Sequence, residues 1–130
     1  MFLEHVNLTV SNLDRSIDFY HRLLGLEVRW RRDACSTDQP AAHIGDDRHY
    51  LALFEARPGS TTLTLDYEAV GLNHFGFVVD DLDAARELLV EMGIEPHLEA
   101  DYDPGRRLYF FDHDGIEVEL VQYQTAPATV

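Results

Sequence analysis

One pattern occurs twice in this chain, and nothing else in the sequence constrains its fold so tightly. Residues 3–13 (LEHVNLTVSNL) and 72–82 (LNHFGFVVDDL) both run Leu, polar, His, then alternating residues to Val, two polar residues and Leu. An Asp follows each copy, at Asp14 and Asp83, and a helical pattern follows the Asp. A fixed internal period marks an architecture built by repetition. His5 and His74 occupy the same place in the two copies, 69 residues apart.

Within residues 2–10 the alternation is that of a strand. Phe2, Glu4, Val6, Leu8 and Val10 share one face, and Leu3, His5, Asn7 and Thr9 the other. The face with His5 is the more polar one, which suits a strand lining a cleft. Ser11 or Asn12 can cap a helix over 14–24, with Leu13, Ile17, Tyr20, Leu23 and Leu24 at helical spacing and Gly25 stopping it. Residues 26–30 read as a strand, 31–41 as a loop, 42–45 and 49–56 as a hairpin, and 62–67 as one more edge strand. The second copy repeats this order. Residues 72–79 form its first strand, Asp80 or Asp81 caps a helix over 83–92, and 94–99 is a strand. DYDPG at 101–105 is a turn, and 107–112 pairs with 116–123 across Asp112-His113-Asp114-Gly115, where the Asp-Gly step supplies positive φ. Each half is therefore β-α-β-β-β. One sheet and one helix cannot bury both sheet faces, so the two units should complete each other. The expected fold is α+β: two tandem βαβββ modules forming a half-closed eight-stranded mixed sheet around a cleft. Its boundaries are module one at 1–57, a link at 58–70, module two at 71–124 and a tail at 125–130, all in a single domain.

A chain of 130 residues is the size of one domain. Ten basic against 24 acidic side chains give a formal net charge of −14. That charge repels phosphate backbones and anionic lipid, so neither nucleic acid nor membrane is an expected partner. All ten basic residues are arginines, and Cys35 is the single cysteine. With no apolar leader and no long apolar run, the expected location is the cytoplasm.

The stretches LEHVNLTVSNLDRSIDFYHRLLGLEV, GLNHFGFVVDDLDAARELL and YFFDHDGIEVELVQY, in this order, resemble the vicinal oxygen chelate superfamily. That group holds glyoxalase I, fosfomycin-resistance thiol transferases, methylmalonyl-CoA epimerase, bleomycin-binding proteins and extradiol dioxygenases. His113 stands where the family's final hairpin usually has Pro. The resemblance implies one divalent metal per site, with His5, His74 and Glu119 as ligands. Its module-one counterpart for Glu119 is Ala52, with Glu55 or His49 as alternatives. Two imidazoles and one carboxylate are a donor set common to open catalytic sites. Glu119 shares its strand face with Glu117 and Val121, and acidic groups on a face otherwise suited to burial need a partner such as a cation. Tyr109 can sit beside Glu119 across the hairpin, and the resemblance implies that it bonds a substrate oxygen. Arg107, with Arg106, can meet an anionic substrate, and His97 lies on a strand that can face the cleft. His21, His43, His49 and His113 read as surface residues.

What the resemblance implies about activity comes in an order. First is a dioxygenase cleaving a small catechol-like substrate chelated through adjacent oxygens, with Fe(II) as the metal, and Mn, Zn or Ni as alternatives. Second is a fosfomycin-type thiol transferase or another glyoxalase-like lyase or isomerase, against which stands the absence of lysine. Third is a non-catalytic bleomycin-type drug-binding protein. The expected assembly is a homodimer, with the cleft made within one chain or exchanged across the dimer.

Overall fold

A computed structural model describes residues 1–35 and 38–124. The expected tail at 125–130 lies outside the described residues. Two compact units divide the chain, Met1–Thr62 and Leu63–Val130. Each carries one helix and one four-stranded mixed sheet, so the eight strands of the two expected βαβββ modules are present, four to a sheet, while the further edge strand expected at 62–67 is not. The architecture is the α+β pairing of β-α-β-β-β modules that the repeat dictates.

In unit one, β1 (His5–Val10), α1 (Leu13–Leu24), β2 (Glu27–Arg32), β3 (Ala41–Gly45) and β4 (Tyr50–Glu55) form a sheet in the order β1-β4-β3-β2. β1 runs parallel to β4, and the other pairs are antiparallel. The period of two sorts the faces as expected. Leu8, Val10, Leu51, Leu53, Ala42 and Ile44 are buried with Leu13, Phe19, Tyr20 and Leu23 of α1. Burial of each large side chain there contributes about 1.5–3 kcal/mol. Asn12 caps α1 by accepting from the Arg15 N–H, and Gly25 ends it at φ 72°.

Unit two repeats the plan with β5 (His74–Val78), α2 (Leu82–Glu91), β6 (Leu98–Tyr102), β7 (Gly105–Phe111) and β8 (Glu117–Tyr123), ordered β5-β8-β7-β6. Asp81 is the cap of α2. Its core joins Leu82, Ala85 and Leu89 to Leu108, Phe110, Val118 and Leu120. A detail absent from the sequence motif also repeats. Glu55 Oε1 accepts from the Leu13 N–H and Gln122 Oε1 from the Leu82 N–H, both at the foot of the helix.

Three elements differ from the sequence expectation. Residues 62–67 form no strand; a turn held by the Asp66 carboxylate on the Glu68 N–H follows them, and the Tyr67 side chain is used elsewhere. β6 begins at Leu98 rather than 94, because Ile94 N–H still returns to Leu89 O at the helix end and Pro96 cannot donate to a ladder. The DYDPG turn is tighter than expected: Asp101 and Tyr102 stay in β6, and Tyr102 pairs with Gly105. Among the described residues no helix is long and apolar enough to cross a membrane.

Candidate functional site

The strand registers settle which residues of the two units are equivalent. In unit two, His74 faces Glu117 and Gly76 faces Glu119 across β5 and β8, and Tyr109 faces Glu119 across β7 and β8. In unit one, His5 faces Tyr50, Asn7 faces Ala52, and His43 faces Ala52. Ala52 is thus the structural counterpart of Glu119, and Glu55 is committed to the α1 terminus. Unit one supplies His5 and no carboxylate at the matching strand position.

In unit two the open sheet face gathers a polar cluster. His74 Nε2 lies 3.2 Å from Glu119 Oε1. His74 Nδ1 lies 3.0 Å from the Tyr67 hydroxyl and 3.4 Å from Glu117 Oε1. The Tyr67 hydroxyl donates to Glu117 Oε1, and His97 Nε2 is 2.8 Å from Glu117 Oε2. Arg107 donates from Nη1 to Glu119 Oε2 at 2.6 Å, and the Tyr109 hydroxyl bonds Glu119 as well. Both carboxylates are buried, Glu117 4% and Glu119 8% exposed. Buried carboxylates persist only with such partners. Gly76 makes the crowding possible: a Cβ there would meet the Glu119 carbonyl oxygen at 3.2 Å and its Cβ at 3.4 Å.

This environment sets protonation. Burial pushes the Glu119 carboxyl upward, but hydrogen bonds from Tyr109 and Arg107 outweigh it and hold the group below its ordinary value. Burial, then the bond to Glu119, pushes the Tyr109 phenol up to about 12. The bond to Glu117, then burial, pushes Tyr67 up to about 12. At neutral pH both tyrosines are protonated donors and Glu119 is an anion.

Among the described residues, no group of three or more His, Cys, Asp or Glu side chains is arranged to hold a metal ion. A pair is present. His74 and Glu119 present one nitrogen and one oxygen side by side, as two ligands of one cation would be. The other nitrogen of His74 is occupied by Tyr67 and Glu117, the outer arrangement typical of a metal-bound imidazole. The donor chemistry of this pair therefore fits a divalent cation.

Of the residues singled out from sequence, His74, Glu119, Tyr109, Arg107 and His97 come together in unit two, and His5 lies in unit one beside Glu4 and Tyr50. Arg107 is ion-paired to Glu119 rather than open to a substrate anion. Three participants were missed. Tyr67 carries no pattern that could have found it. Glu117 was read on the same strand face as Glu119, as an acid needing a partner, but not as a site residue. His43, read as a surface histidine, is half-buried and stacked on Tyr50 at 4.6 Å, in the register position that Tyr109 holds in unit two. His21, His49 and His113 are exposed, as expected.

The model of the Glyoxalase/Bleomycin resistance protein/Dioxygenase superfamily matches residues 2–120, and the chain belongs to that family. It is 29% identical to a catechol-2,3-dioxygenase of Bacillus subtilis over 89% of its own length. It spans only 39% of that relative. It is 32% identical to a glutathione transferase FosA of Serratia marcescens, over 91% of this chain and 78% of the other. A solved fosfomycin resistance protein FosX of Listeria monocytogenes, complexed with Mn(II) and 1S,2S-dihydroxypropylphosphonic acid, shares the fold at a TM-score of 0.75, with 21% identity over 92% and 90% of the two chains. A divalent metal is thus found within the superfamily.

Proposed function

We propose that this chain is a metal-dependent enzyme whose cation is held by His5, His74 and Glu119, acting on a small substrate through two adjacent oxygens. The reading includes a single functional domain and a homodimer. The observation that carries it is the His74 Nε2–Glu119 Oε1 pair at 3.2 Å, with the far nitrogen of His74 fixed by Tyr67 and Glu117. The preferred reaction is dioxygenation of a catechol-like ring, with Fe(II) as the cation. A cation bound there supplies Lewis acidity toward both substrate oxygens and, as Fe(II), a site for dioxygen.

The chain's own groups have separable tasks in this reading. The Tyr109 phenol, protonated at neutral pH, donates to a substrate oxygen. Arg107 holds the outer oxygen of Glu119 and keeps that carboxylate ionised. His97, oriented by Glu117, faces the substrate. Thiol transfer to a fosfomycin-like epoxide is the second reading, favoured by 32% identity to the FosA relative and weakened by the absence of lysine.

The test is metal analysis of protein purified without chelator, then oxygen uptake with a panel of catechols and glutathione consumption with fosfomycin. One divalent metal per chain, lost in Glu119→Gln, and oxygen uptake with a catechol are the expected results. Full metal content in Glu119→Gln would overturn the ligand assignment. Glutathione consumption without oxygen uptake would replace the first reading with the second. A metal-free protein that still sequesters an aromatic drug would replace both.

A further inference from the structure

The open sheet face of unit one holds a different chemistry at the same register positions. Where unit two has Glu117, Glu119 and Tyr109, unit one has Tyr50, Ala52 and His43. Four rings stand in a row there, beginning with His5 stacked on Tyr50 at 4.9 Å with an interplanar angle of 14°. Trp30 and His43 have centroids 4.9 Å apart, and His43 stacks on Tyr50 at 4.6 Å with an interplanar angle of 27°. Ala52, paired with His43, adds only a methyl group where unit two has a carboxylate.

The β2 strand is irregular at this point. Val28 pairs with Ile44 and Trp30 with His43, so Arg29 is an extra residue in the ladder. A bulge re-aims side chains and recurs beside functional sites. Here it places Arg29 over the Tyr50 ring at 4.6 Å while its neighbour Trp30 meets His43. Arg32 lies over Trp30 at 5.6 Å, and its Nε and Nη2 donate to the Gln39 carbonyl. In a chain of net charge −14, Arg31, Arg86, Arg106 and Arg107 are each ion-paired. Arg29 and Arg32 are not ion-paired among the described residues. Trp30 remains 42% exposed. Burial, with Arg29 and His5 nearby, holds His43 below its ordinary range, so the ring is a neutral π surface at neutral pH.

We propose that this face is a binding site for a planar aromatic ring bearing a carboxylate, the ring against Trp30 and His43 and the anion on Arg29. Aromatic rings prefer offset or edge contacts with one another, and a guanidinium supplies directed hydrogen bonds to a carboxylate. The inference narrows the substrate class of the proposed enzyme to aromatic acids. It rests on that reading only for what happens to the ring once bound, because binding itself needs no metal.

Trp30 is the only tryptophan, so its indole N–H resonance reports on this face alone. Chelator-treated protein is titrated with benzoate, 3,4-dihydroxybenzoate, catechol and cyclohexanecarboxylate, following that resonance and the heat of binding. Benzoate and 3,4-dihydroxybenzoate should shift it saturably. Catechol lacks the charge and cyclohexanecarboxylate lacks the flat ring, and each should bind at least tenfold more weakly. Arg29→Met should weaken benzoate at least fivefold, leave catechol unchanged and leave the urea midpoint in place. Equal binding of benzoate and cyclohexanecarboxylate, an unaffected Arg29→Met, or no saturable shift would each overturn the inference. Failure of metal loading alongside benzoate binding would refute the metalloenzyme reading alone, and failure of oxygen uptake alongside it would refute only the dioxygenase form of that reading. Oxygen uptake without benzoate binding would refute this inference alone.

Discussion

Replacing Glu119 by Ala should weaken the metal-free fold as well as the metal site. From the sequence the substitution removes an anionic ligand and no core volume, which suggests an unaltered fold. The structure adds a cost. Glu119 accepts from Arg107 at 2.6 Å, and the two side chains are only 10% and 20% exposed. Among the described residues, Arg107 Nε is already buried without a partner. With the carboxylate gone, the guanidinium is left with neither counter-charge nor acceptor among the described residues, and Tyr109 and His74 Nε2 lose theirs. Breaking one side of a buried pair costs about 3–5 kcal/mol. Arg107 retains some access to water, so roughly 2–3 kcal/mol is the expected loss, by the same principle. For a domain of this size that lowers Tm by about 6–15 °C. Glu119→Gln keeps an acceptor for Arg107 and should lose about half as much. The double variant Arg107→Met/Glu119→Leu, which removes both charges, should recover most of it. The assay is urea unfolding of chelator-treated protein at pH 7. A midpoint for Glu119→Ala indistinguishable from the parent protein, or a double variant no better than the single one, would refute the reasoning. The pH dependence has a definite sign. The folded-state value of Glu119 is depressed, so its contribution is complete above the unfolded carboxyl value of about 4.3 and fades as pH falls through the folded-state value. The gap between the parent protein and Glu119→Gln should therefore narrow below about pH 4.

Gly76→Ala should destabilise by about 1 kcal/mol and displace Glu119, since the new Cβ would press on the Glu119 backbone and Cβ at 3.2 and 3.4 Å; a crystal structure of the variant with Glu119 unmoved would sink this account. The chain should form a homodimer, since Leu3, Leu63, Val70 and Leu72 are largely exposed; a monomer mass by light scattering at micromolar concentration would count against it.

Local chemistry wrote much of this protein legibly. Asn12 and Asp81 announce their helices because a short acceptor side chain can satisfy an N-terminal N–H without tertiary help. The two-residue period of residues 2–10 separates a buried Leu8 and Val10 from an exposed His5. The repeat then doubles the module and marks His74 as the partner position of His5. Glu119 was singled out through the resemblance of the final hairpin; the strand period alone marks it only as one of two acids, with Glu117, on a face suited to burial. Other features needed the pairing of distant strands. The resemblance offered Ala52 as the counterpart of Glu119 with Glu55 and His49 still open, and only the strand register chooses among them, because no local signal fixes register across a parallel pair joined through a helix and a hairpin. Tyr67 reaches Glu117 from a link with no periodicity, 50 residues away in sequence. Arg107 was assigned to substrate because the sequence gives its charge but not its nearest acid, which lies one strand over. The extra residue at Arg29 is visible only against the partner strand, since a bulge is defined by two residues opposing one. Sequence thus determined the modules and the kinds of side chain on each face. Which of those side chains touch was decided by strand register, a property of pairs of segments and not of either one alone.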